Sequence, residues 1–178
     1  MSYQPAYPNA LFAKPLLNQL IAIIQRDQQA ALQIVNASLG PIDEFHKGPG
    51  ARTAFPWLTL AADSVVFDRQ AGDTRSSQAR VMLTLEVGQF DQEMAEDNAQ
   101  DYARALDMVV TSASLSDFVT PLPIVHETVP TGVTTPSAPG AVHDVFVEAH
   151  HYGMVTLPGI EVPVLRVTVA VLFDLEET

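Results

Sequence analysis

The chain has 178 residues, no cysteine, and a formal charge of −12 from 21 acidic against 9 basic residues. This length suits one domain that buries about 70% of its unfolded surface, so the core alone suffices for folding; a disulfide framework and thiolate chemistry are excluded. The negative field opposes tight nucleic-acid binding and leaves DNA only as a polymer that slides past.

The opening "MSYQPAYPNALFAKP" has no basic leader followed by an apolar run, and no apolar stretch is long enough to span a bilayer. A soluble intracellular protein with no membrane partner is expected. From Lys14 to Ser38, Leu16, Leu20, Ile23, Ile24, Ala31, Ile34 and Val35 recur at helical spacing, with Pro15 in the first turn. Residues 39–56 read as a long loop through "GPIDEFHKGPG", whose "GPG" lacks the lysine and hydroxyl of a phosphate-binding loop. "WLTLAADSVVFDR" predicts one strand or two short ones between Trp57 and Asp68, with Trp57 in the core.

After the polar turn "QAGDTRSSQ", Ala79, Val81, Leu83, Leu85 and Val87 alternate with Arg80, Thr84 and Glu86, the clearest strand pattern in the chain. The next segment, "DQEMAEDNAQDYARALDMVVTSA", places Met94, Tyr102, Ala105, Leu106, Val109 and Ala113 on one helical stripe. Asp91 is its N-cap, and Glu93 and Glu96 lie near the positive dipole end. Its outer face carries Asp91, Glu93, Glu96, Asp97, Asp101 and Asp107 against Arg104, and reads either as a solvated face or as a functional lining. Residues 114–140, rich in Pro, Gly, Ser and Thr, form a second long loop, either a surface loop or an arm that grips a partner.

"AVHDVFVEAHHYG" is the one stretch with metal-site residue types. Without cysteine, imidazole and carboxylate are the ligands available. Strand parity puts His143, Val145, Val147, Ala149 and His151 on one face and Asp144, Phe146, Glu148, His150 and Tyr152 on the other. The histidines therefore do not converge, and only Glu148 and His150, with Asp144 further off, fall side by side. The stretch reads as a half-buried strand with polar ends.

The closing "VLRVTVAVLFDLEE" turns Leu165, Val167, Val169, Val171 and Phe173 inward. Pairing these two strands through a two-residue turn at Pro158-Gly159 would set apolar residues against the polar face. A one-residue register offset is therefore expected, with Gly153 or Gly159 as its natural place. No signature for covalent catalysis or dinucleotide binding is present. His46 and His126, with Asp43, Glu44 and Glu127 nearby, are commonplace loop pairs. No catalytic residue, cofactor or metal ligand is assigned.

These elements predict a single α/β (α+β) domain over residues 1–178, with a mainly antiparallel or mixed sheet of four to five strands flanked by two main helices. Three stretches together resemble the tail terminator (tail completion) proteins of long-tailed bacteriophages. They are "LLNQLIAIIQ" in the first helix, "ARVMLTLEVGQF" running into "DQEMAEDNAQDYARALDMVV", and the final "VLRVTVAVLFDLEE". The resemblance covers nearly the whole chain and rests on pattern. It implies a structural virion protein, not an enzyme, assembled in the host cytoplasm. It also implies a homohexameric ring that caps the tail tube and meets the head–tail connector, with DNA passing through. Its acidic lining would come from Asp91, Glu93, Glu96, Asp97 and Asp101, or from Asp174, Glu176 and Glu177. The competing readings are a small enzyme or metal-binding domain using Asp144, Glu148 and His150, and a generic oligomeric adaptor.

Overall fold

Two strands with unbroken apolar alternation form the centre of the sheet. In the computed structural model, which describes residues 13–47, 54–67, 75–113 and 141–177, β3 (Arg75–Gly88) and β5 (Val164–Glu177) pair antiparallel along their whole length. Their inward residues, from Ala79 to Val87 and from Leu165 to Phe173, are all buried. Each such valine, leucine or phenylalanine contributes roughly 1.5 to 3 kcal/mol through burial. β3 starts at Arg75, inside the predicted polar turn, because Arg75 to Gln78 pair with Asp174 to Glu177 at the end of β5. A long partner strand overrides weak local propensity there.

β2 (Trp57–Phe67) is one strand, antiparallel to β3, with a bulge between Ala62 and Ser64. On its far side lies β1 (Glu44–Lys47), paired in parallel with β2. This corrects the expectation of a loop throughout 39–56. β4 (Ala141–Val155) closes the other edge, antiparallel to β5, which gives the order β1-β2-β3-β5-β4. The result is a mixed, mainly antiparallel five-stranded sheet with two helices, the α+β class that was expected. The 114–140 segment and His126 lie outside the described residues.

Both helices cover one face. α1 (Ala13–Val35) packs on β2 and β3, and α2 (Gln92–Ser112) packs on α1, β3, β4 and β5. The buried stripe of α1 runs through Leu16, Leu17, Leu20, Ile23, Ile24, Ala31 and Leu32, whereas Ile34, expected inside, is 72% exposed. α2 buries Ala95, Ala99, Tyr102, Ala103, Leu106, Val109 and Val110, and the expected Met94 is half exposed. The buried alanines Ala95, Ala99, Ala103 and Ala105 belong to the contact stripe of α2, and Met94 falls outside it. The N-cap is as expected, with Met94 N–H donating to Asp91 Oδ1 at 3.2 Å.

β1 is held from a distance. The buried Gln28 side chain donates through Nε2 to the Ile42 carbonyl (2.9 Å), and the Ile42 N–H donates back to Oε1 (2.8 Å). His46 stacks on Trp57 with ring centroids 3.7 Å apart, and the Tyr102 hydroxyl donates to the Gly40 carbonyl at 2.8 Å.

The register offset between β4 and β5 is present, but its place differs from expectation. Val147 pairs with Val171 and Ala149 with Ala170, which leaves Glu148 as the extra residue of a bulge; a second irregularity lies between Val142 and Asp144. Val142, Val145 and Val147 thus stand opposite the inward-facing Leu175, Phe173 and Val171. Beyond Glu148 the parity inverts, so His150, Tyr152 and Met154 oppose inward-facing Val169, Val167 and Leu165. The expected faces hold for Val145 and Val147 and are reversed for Ala149, His150, His151 and Tyr152.

Replacing Gln28 with leucine strands both main-chain groups of Ile42 in the interior, so urea unfolding of Gln28→Leu should show a loss of about 2 to 4 kcal/mol. Burial, and then the Asp43 carboxylate, push the Tyr102 phenol up from 10.0 to about 12. Below pH 10 both states keep the phenol neutral, and between about 10 and 12 only the unfolded chain ionises, so stability should fall through that window. Tyr102→Phe should flatten this alkaline loss in pH-dependent denaturation, while costing about 1 kcal/mol at neutral pH through the missing hydrogen bond.

Candidate functional site

The β4 bulge separates the residues that sequence parity had placed together. Glu148 reaches across the face of the sheet opposite the helices, where Arg80 Nε lies 2.9 Å from its Oε2 and Arg80 Nη1 lies 3.6 Å from Asp63. His150 faces the helices, with Nε2 3.6 Å from Asp107 Oδ2 and Nδ1 3.4 Å from the Tyr152 hydroxyl. Burial, followed by the charge of Asp107, raises the Tyr152 phenol. Asp144 is exposed, and its carboxylate accepts the N–H of Val145. The trio Asp144, Glu148 and His150 therefore does not converge, and among the described residues no three His, Asp or Glu side chains are grouped to hold a metal ion.

The acids expected to line a pore fall into two sets on opposite sides of the sheet. Asp91, Glu93, Asp97 and Asp101 surround a depression of about 490 Å³ on α2, together with Asn36, Met94, Asn98 and Gln100. Asn36 Nδ2 donates to Asp101 Oδ2 at 2.8 Å, which ties the end of α1 to this helix. Glu96 is exposed on α2 outside that depression. Asp174 lies on the sheet's other face, where Gln78 Nε2 donates to it at 2.8 Å. Its cross-strand partner is Asp144, so two carboxylates stand directly opposite each other, an arrangement that costs stability. The Glu176 and Glu177 side chains lie outside the described residues.

A second depression, about 600 Å³, adjoins the first and shares Met94 and Asn98 with it. Leu39, Pro41, Phe55, Pro56, Val87 and Tyr102 supply its apolar wall, and Asp43 and Glu44 stand among its lining residues. Glycine at position 88 makes room for the Phe55 ring, since a Cβ there would meet Phe55 Cδ2 at 2.7 Å. Phe90, in the connection between β3 and α2, is 91% exposed beside it. Sequence reading missed this groove because its walls come from residues 38–44, 54–56, 87–89 and α2, far apart along the chain. The one local signal was Phe90 between two polar residues.

No family model matches the chain, and no curated protein matches it. No helix among the described residues is long and apolar enough to cross a membrane. Among solved structures, a chain in a structure described as the virion of a native gene transfer agent (GTA) particle is similar at 10% sequence identity and a TM-score of 0.47, over 90% of this chain and 94% of that one.

Proposed function

We propose that the protein is a non-enzymatic structural component of a phage-like virion, a tail terminator. In this role its copies close into a ring, probed below as a hexamer, that caps the tail tube and meets the head–tail connector. The observation that carries this reading is the architecture. Two helices lie on one face of a mainly antiparallel sheet, the helix-flanked, mainly antiparallel fold that the sequence resemblance implies. The long edge strand β4 has no sheet partner on its outer side among the described residues, leaving a strand edge for subunit contact. Assembly in the host cytoplasm and a place in the phage neck follow from the same reading.

Of the two candidate linings, we favour Asp174 with Asp144, the pair whose carboxylates stand directly opposite each other across the strands. Exposed apolar side chains accompany both sets, Met94 on α2 and Phe146 and Val66 on the open sheet face. Opposed carboxylates repel both one another and a passing phosphate backbone. A heterologous contact makes a ring only if its rotation closes, and a terminator must close.

Sedimentation and negative-stain imaging of the purified chain should show closed rings of one stoichiometry, six subunits in this reading. Ring formation should strengthen as ionic strength rises from low values, because salt screens the lining's self-repulsion. Asp144→Asn with Asp174→Asn should weaken that salt dependence. A chain that stays monomeric at high concentration and high salt, and in tail particles, would overturn the reading.

A further inference from the structure

We infer that the groove between the start of α2 and the loops at 38–43 and 54–56 is a docking site for a protein segment that presents an apolar or aromatic side chain flanked by lysine or arginine. This goes beyond the ring reading and stands without it.

The wall supplied by Pro41, Phe55, Pro56 and Val87 is apolar, and its volume of about 600 Å³ accommodates a large side chain. Its buried polar group needs no ligand, since the Tyr102 hydroxyl is already bonded to the Gly40 carbonyl. Met94, 52% exposed, lines both depressions and offers an apolar surface from which an incoming apolar group would exclude water.

Charge selects the occupant. Across the two adjoining depressions, Asp43, Glu44, Asp91, Glu93, Asp97 and Asp101 stand among the described lining residues, and no lysine or arginine does. A second copy of this chain is a poor fit. The most exposed large apolar side chain among the described residues, Phe90, brings Asp91 and Glu93 with it, and these would meet Asp43 and Glu44 as like charges. A nucleic acid is repelled by the same rim. A free cation gains nothing from the apolar wall. A protein segment with an apolar anchor and basic flanks meets both features: the anchor supplies the buried contact, and the flanks supply orientation and a faster encounter.

The test uses the full chain, labelled for NMR, titrated with three short peptides. One has phenylalanine between lysines, the second the same lysines around alanine, and the third phenylalanine between glutamates. The lysine–phenylalanine peptide should shift the Met94 methyl and the Phe55 and Tyr102 ring signals saturably, and the other two should not. Reversing exposed charges with Glu93→Lys and Asp97→Lys, in a variant shown by thermal melting to be folded, should weaken that peptide about tenfold and admit the glutamate–phenylalanine peptide. The inference is overturned if the alanine peptide binds equally well, which means an acidic surface only. It is also overturned if the glutamate–phenylalanine peptide binds the unaltered chain equally well, if no peptide moves these signals, or if Met94→Lys abolishes self-association, which puts a second copy in the groove. Ring formation is scored separately by mass, so either reading can fail while the other holds.

Discussion

The single extra residue at Glu148 is the constraint on which the rest of the sheet's edge depends. β5 offers β4 a fixed set of inward side chains, Leu165 through Leu175, and β4 must answer with apolar residues wherever the core is dry. Val142 does so only beyond the second irregularity, between Val142 and Asp144, and Val145 and Val147 do so only in a register that, continued without interruption, would disagree with the hairpin end by one residue. A bulge absorbs that residue. The cost is that parity changes sides, so His150, Tyr152 and Met154 move to the helix side while Glu148 stays with Arg80 on the other. Packing in the core thereby decides that a metal trio cannot assemble on this strand.

How much of this was legible in the sequence depended on the range over which each element is specified. β3, β5 and both helices carry their own periodicity, and the structure has them where the pattern put them. β1 carries none: four residues, Glu44 to Lys47, are held by Gln28 from α1 and by the stack of His46 on Trp57, contacts that no local window contains. Ile34 and Met94 were misplaced for a related reason. Both belong to the apolar class, but the phase of each helix is set by what it meets. On α2, the small residues Ala95, Ala99 and Ala103, which carry little weight in a hydrophobic pattern, are fully buried. A parity argument along β4 was sound up to the bulge and inverted after it, so the candidate-site residues beyond Glu148 were assigned to the wrong faces. The acidic character of α2 was plain from composition, whereas the groove that makes those acids a rim requires four separate segments to meet.

The surplus of acid is distributed with a purpose that follows from this geometry. One set of carboxylates edges an apolar depression beside Phe90 and Met94; the other lies on the exposed sheet face, where Asp144 opposes Asp174. The first couples charge to a place where an apolar group can be buried, which favours recognition of a specific partner. The second stands on the open sheet face, which it shares with the exposed Phe146 and Val66.

The free side of β4 closes the physical account. A fifteen-residue edge strand with no sheet partner on its outer side among the described residues invites indefinite sheet extension. Here the strand is interrupted twice, between Val142 and Asp144 and at Glu148, and it carries Asp144, Glu148, His150 and His151. Each bulge breaks the even spacing of donors and acceptors that a neighbour's strand would need over its full length, and each adds local twist. The same two irregularities that satisfy the core thus work against open-ended sheet extension along β4.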